Sequence, residues 1–254
     1  AKNVVSAPEF IRQTPISDSL AAFASSLSWQ DIPVQVVERA KLHILDALGI
    51  ALAASRYDYS HKTLTAMHGL AGEGPYPVIG MPARLPLRDA AQMNGFLIHA
   101  LDFDDTHVAG VIHATCTAVP TLLGMGQKYD ISGREMLIAY LAAVESDARI
   151  GMGATGGFHR KGFHPTGIVG AYGAAIAAGR VAGLTRAQLS DAQGIVLGMA
   201  SGTLGFLDEG AWNKRLHAGW ASVAGITAAA LARQGFKGPS KPYEGKYGLY
   251  DCFT

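Results

Sequence analysis

Apolar residues recur at helical spacing in block after block of this sequence, while strict apolar/polar alternation is almost absent. A repeat near 3.6 residues buries one stripe of a helix, whereas a half-buried strand needs a repeat of two. The chain is therefore expected to be all-α. The pattern predicts a first helix after Pro15 and Ser17 and a second opened by Asp31 and Pro33, running through Ala40, Leu45 and Leu48. A third is expected from Ser60 to Leu70. The stretch from Gly72 to Pro86 is dense in proline and glycine and should interrupt the helices before another runs from Leu87 to Leu101. Ser132-Gly133-Arg134-Glu135 and Thr185-Arg186-Ala187-Gln188 match the capping box, so each should start a long helix. The segments His164 to Ala182, Gly198 to Gly205 and His217 to Gly235 are rich in glycine and alanine, as buried helices that cross closely would be.

With 254 residues, 49% hydrophobic and 16% charged, the chain has material for a sizeable core and too few charges to stay unfolded. A net charge of +1 gives no electrostatic reason to expect nucleic acid or an anionic membrane surface. Cys116 and Cys252 stand far apart in no metal-binding spacing, which fits a reducing, cytoplasmic setting. Ala1 to Gln13 has no secretory pattern and reads as an ordinary leader. The most apolar run, Thr166 to Gly179, is shorter than the roughly 20 residues a spanning helix needs. No membrane partner is expected.

Three clusters put titratable side chains where apolar helices should end. The first, His99-Ala100-Leu101-Asp102-Phe103-Asp104-Asp105-Thr106-His107 with His113, gathers carboxylates and imidazoles. Its aspartates could simply end one helix and cap the next. Asp-x-Asp-Asp could also hold Mg²⁺, but that chemistry wants a second acidic motif, which Glu145-Ser146-Asp147 does not supply. The second cluster, Gly157 to Thr166, ends in His164 just ahead of the small-residue helix. There the helix dipole disfavours an imidazolium, leaving a neutral ring as a base near pH 7, unless His164 only caps or packs. The third, Asn213-Lys214-Arg215-Leu216-His217-Ala218-Gly219, sets cations at a helix start, either as an exposed basic turn or as a receptor for carboxylates.

Taken in order, these segments resemble the MmgE/PrpD family, which includes 2-methylcitrate dehydratase, cis-aconitate decarboxylase and iminodisuccinate epimerase. The resemblance rests on Ile44-Leu45-Asp46-Ala47-Leu48-Gly49, Asp102-Phe103-Asp104-Asp105-Thr106 with His113, Gly162-Phe163-His164-Pro165-Thr166, Ser201-Gly202, Lys214 to Gly219 and Gly235-Phe236-Lys237-Gly238-Pro239. It implies a multi-helix domain over residues 1–240, with residues 241–254 crossing toward an α+β lid domain absent from this chain. That lid would come from further sequence or another chain. The resemblance further implies a lyase or isomerase acting on a small di- or tricarboxylate, without metal or organic cofactor, and a homodimer. His164, Lys214, His113 and Asp102 would be catalytic, with Thr106, Asp105, Arg215 and His217 binding substrate. A non-catalytic binding or assembly module of the same family is the alternative.

Overall fold

A computed structural model describes residues 14–254, so the leader reading of Ala1 to Gln13 lies outside the described residues. The described chain is all-α apart from one small hairpin. Helices α1 (Ile16–Ser26), α2 (Val34–Ala54) and α3 (Asp58–Ala71) come first. Strands β1 (Tyr76–Pro77) and β2 (Arg84–Leu85) then pair antiparallel, Tyr76 opposite Leu85. This hairpin lies inside the stretch expected to be irregular, where proline and glycine rule out a helix but allow a two-residue ladder. Helices α4 (Leu87–Ile98), α5 (Thr115–Tyr129), α6 (Gly133–Gly153), α7 (Gly157–Arg160) and α8 (Pro165–Val181) follow. The chain then forms α9 (Arg186–Leu197), α10 (Phe206–Glu209), α11 (Lys214–Arg233) and α12 (Leu249–Phe253).

Both capping boxes form. Ser132 Oγ accepts from the Glu135 amide at 3.2 Å, and Glu135 Oε2 accepts from the Ser132 amide at 2.8 Å. Thr185 and Gln188 repeat the exchange at 3.3 and 3.0 Å. Two orphan donors at the start of α6 and two at the start of α9 are thereby satisfied.

Helix α8 is the centre of the molecule. Every residue from Pro165 to Gly179 is buried, and α5, α6, α9 and α11 pack around it. Its small residues make that possible, because a methyl group at Gly173 would lie 2.5 Å or less from the Asp147 carboxylate. At Gly225 on α11 the same addition would meet Ala174 at 2.5 Å. The crossing of α11 over α4 is closer still. A Cβ at Gly219 would stand 2.1 Å from the Gln92 carbonyl oxygen, and one at Gly95 would stand 2.7 Å from Gly219 Cα. That contact brings the end of α4, where the chain reaches His99, beside the start of α11 at Lys214.

Helix α4 stops at Ile98, three residues short of the expected Leu101. His99 is drawn out of the helix to bond Asp104, and Asp102 takes a left-handed conformation with φ of 62°. The segment after Gly235, expected to lack helical order, contains α12. It is anchored by the buried Tyr243, whose hydroxyl donates to Gln193 at 2.8 Å, and by the buried Leu249. Among the described residues, no helix is long and apolar enough to cross a membrane.

Candidate active site

Three segments meet at the end of the α4–α11 crossing. The turn after α4 brings His99, Asp102 and Asp104, the loop before α8 brings His164, and the first turn of α11 brings Lys214, Arg215 and His217. The backbone fixes His164 firmly. Its amide donates to the Gly202 carbonyl at 3.0 Å, and Leu204 N donates to Gly162 O at 2.8 Å. Gly202 has φ of 132°, and a Cβ there would crowd the His217 ring at 3.1 Å. Only glycine lets this segment pass so near the imidazole in that conformation.

Four imidazoles form one cluster. His164 Nδ1 and His217 Nδ1 lie 3.0 Å apart, so one ring donates a hydrogen to the other. The His164 ring stacks on His99 with centroids 5.6 Å apart, and His99 meets His113 at 4.9 Å. Below them Asp104, 3% exposed, receives His99 Nδ1 at 3.1 Å to each oxygen and His113 Nδ1 at 3.5 Å. His113 also approaches Thr106 Oγ1 at 3.4 Å, and its amide donates to Thr166 Oγ1 at 3.0 Å.

Burial leads in lowering the His164 pKa to about 2, and the charges of His99, His217, Lys214 and His113 reinforce it. Burial also brings His217 down to about 4, with His99 and Lys214 behind it. The His164 ring is therefore neutral, as expected from sequence, with burial the leading cause and His164 standing at the N-cap of α8. Burial pushes Asp104 upward, yet the hydrogen bond and charge of His99, with His113 and Cys116, outweigh it and hold the carboxyl below its ordinary value. Asp104 is thus an anion beneath the His99 and His113 rings.

Cationic groups stand on the other side. Lys214 Nζ pairs with Asp102 and lies over the Phe206 ring at 5.6 Å. Arg215 Nε donates to the Ala100 carbonyl at 2.8 Å, and its guanidinium stacks over Tyr59 at 4.6 Å. A cavity of about 260 Å³ is lined by His99, Ala100, Asp102, Phe206, Lys214 and Arg215, among others.

Of the residues singled out from sequence, Asp102, Lys214 and Arg215 line this cavity, and His113, His164 and His217 join the imidazole cluster behind it. Thr106 touches His113 from the same side. Asp105 turns elsewhere. Its Oδ1 accepts from the Thr115 amide at 3.2 Å at the start of α5, the capping role that the residue type also allowed, and burial raises its pKa. His99, Asp104 and Phe206 were not assigned roles from sequence. For His99 the available signal was a histidine directly after the apolar run Phe96-Leu97-Ile98. His99, Asp104 and His113 bring ligand-type atoms within 4.8 Å of one another. His99 Nδ1 hydrogen-bonds the Asp104 carboxylate, and His113 Nδ1 lies 3.5 Å from the same carboxylate while approaching the Asp104 backbone carbonyl at 3.3 Å, so the three groups form a carboxylate–imidazole network.

Residues 18–254 match the model of the MmgE/PrpD N-terminal domain. Over 239 residues the chain is 30% identical to a cis-aconitate decarboxylase of Aspergillus terreus, covering 92% of this chain and 49% of that protein. It is likewise 30% identical over 230 residues to a human cis-aconitate decarboxylase, covering 88% of this chain and 47% of the relative. A cis-aconitate decarboxylase-like protein of Aspergillus oryzae is also 30% identical, over 92% of this chain and 50% of its own length. The chain therefore spans about half the length of the curated relatives it matches. The matched domain, the all-helical fold and these relatives together establish that the chain belongs to the MmgE/PrpD family, a family with lyase members.

Proposed function

We propose that the protein acts as a cofactor-independent lyase or isomerase on a small polycarboxylate, by moving a proton on a carbon next to a carboxylate. One observation carries this reading: an ammonium and a guanidinium line the same small cavity as His99, with the neutral imidazole of His164 stacked on that ring. The cavity lies just under the roughly 300 Å³ at which ligand pockets begin, which suits a compact substrate.

In this reading Lys214 and Arg215 bind carboxylates, and Asp102 orients the ammonium. His164 acts at the adjacent carbon. Where it abstracts a proton, the electron pair of the C–H bond moves into the neighbouring carboxylate, and Lys214 stabilises the added negative charge. The imidazolium formed then returns its proton to carbon or to a departing hydroxyl. In a decarboxylation, the electrons of the broken C–C bond stay on carbon, and an imidazolium supplies the proton they take up. A bound polyanion raises the imidazole's proton affinity, offsetting the effect of burial in the free site. His113 and Thr106 hold the substrate's far end. Homodimerisation through the helical domain belongs to the same reading, with Leu42, Leu45 and Leu52 exposed along one face of α2. So does a lid supplied by further sequence or by another chain.

The test is incubation with cis-aconitate, 2-methylcitrate or iminodisuccinate, with and without a supplied lid chain, followed by proton NMR. Product from at least one is expected. Binding without turnover of any, lid included, would favour the non-catalytic module.

A further inference from the structure

His99 has one ring nitrogen left over. Its Nδ1 faces both Asp104 oxygens at 3.1 Å, so that nitrogen carries the hydrogen and donates into the carboxylate. Its Nε2 is buried and has no hydrogen-bond partner among the described residues. Leaving a polar atom buried in this state forfeits its hydrogen bond to water, so native proteins seldom do it without reason. The same ring, 1% exposed, lines the cavity that Lys214 and Arg215 also line.

The charges around that cavity point the same way. Lys214 is already paired with Asp102, and Arg215 donates to a backbone carbonyl. His164 and His217 share one hydrogen between their Nδ1 atoms. A di- or tricarboxylate brings more negative charge than these groups leave free, and burying a carboxylate without a partner is costly. An additional cation is needed. An imidazole standing on a buried carboxylate suits that task, because its protonated form already has a counter-ion.

We propose that His99, backed by Asp104, takes up one proton as a polycarboxylate enters the cavity and presents Nε2–H to one of its carboxylates. The inference rests on the polycarboxylate reading above. The proton comes from solvent, the only new covalent bond is Nε2–H, and nothing is oxidised or reduced. The ionisable groups facing His99 are Asp104, His113 and His164, with His217 beyond them and Asp102, Lys214 and Arg215 lining the same cavity. His113 also reaches Asp104, and His164 gains proton affinity beside a bound polyanion, so these two rings are the competing sites for the proton.

Calorimetric titration of the protein with cis-aconitate, in two buffers of different ionisation enthalpy near pH 7.5, counts the protons taken up. Linkage predicts an uptake of about one proton. His99→Gln and Asp104→Asn should each abolish most of it, and His99→Gln should weaken binding about 10- to 100-fold, as loss of a charge-assisted hydrogen bond does. Nitrogen-15 NMR of the wild-type histidines gives a second readout that does not depend on how the variants fold. In the free protein His99 should be protonated at Nδ1, and its Nε2 should change from the unprotonated to the protonated shift range on binding. Binding with an unmoved His99 Nε2, or undiminished uptake in His99→Gln, overturns the inference while the polycarboxylate reading stands. If cis-aconitate, 2-methylcitrate and iminodisuccinate all leave every site histidine unchanged, both fail.

Discussion

His164→Gln should lower turnover of the responsive polycarboxylate by about 10²- to 10⁴-fold, the usual loss when a positioned general acid–base group is removed. Substrate binding should change much less, because Lys214 and Arg215 remain. Steady-state kinetics with a thermal melt on the same sample checks this, and near-normal turnover would reject His164 as the proton-transfer group. The substitution also carries a pH signature. His164 has its pKa lowered from 6.5 to about 2 by burial, so below pH 6.5 the unfolded chain binds a proton that the folded chain refuses. Stability is therefore complete above that pH and falls as pH drops, by about 1.4 kcal/mol per unit from a single such group. Glutamine does not titrate. The variant should melt with a shallower pH dependence between pH 6.5 and 4, the remaining slope in this range including that of His217.

Gly219→Val is expected to be the most damaging single change in the scaffold. Even a methyl group at this position would stand 2.1 Å from the Gln92 carbonyl oxygen, and a backbone atom in a packed helix cannot swing aside as a side chain can. Forced overpacking typically costs 1–3 kcal/mol, and a backbone clash belongs at or beyond about 3 kcal/mol. For a domain of this size that lowers the melting temperature by roughly 6–12 °C. Because the crossing of α4 and α11 brings His99 to Lys214, any folded remainder should also bind substrate poorly. Gly49, inside α2 with nothing within 4 Å of its would-be Cβ, serves as the control: Gly49→Ala should leave binding nearly unchanged and raise the melting temperature slightly, as alanine for glycine in a helix interior does.

The helices were legible because they are written in apolar spacing and local caps. Ser132 with Glu135 and Thr185 with Gln188 carry their start signals within four residues, and both signals act as local chemistry requires. The end of α4 was not legible. A hydrogen bond from His99 to a residue five positions on, and a left-handed Asp102, decide it, and neither has a periodic signature. The hairpin of β1 and β2 is too short to alternate visibly.

The candidate site was legible in part for a similar reason. Lys214, His164 and Asp102 interrupt apolar surroundings, and the family resemblance singles out the same positions. The underlying Asp104–His99 pair is different. Asp104 sits between Asp102 and Asp105 in one acidic run, and only the fold separates three neighbours into an ion-pair partner, a buried counter-ion and a helix cap. Composition cannot make that division, since it depends on which way each carboxylate turns.

The most direct test of the account is a crystal structure of the protein with cis-aconitate. It should place one ligand carboxylate within hydrogen-bonding reach of Lys214 Nζ and a ligand carbon against the His164 ring, with the molecule filling the cavity lined by His99 and Arg215. A ligand bound on another surface, or Lys214 and His164 turned to separate regions of the protein, would contradict it.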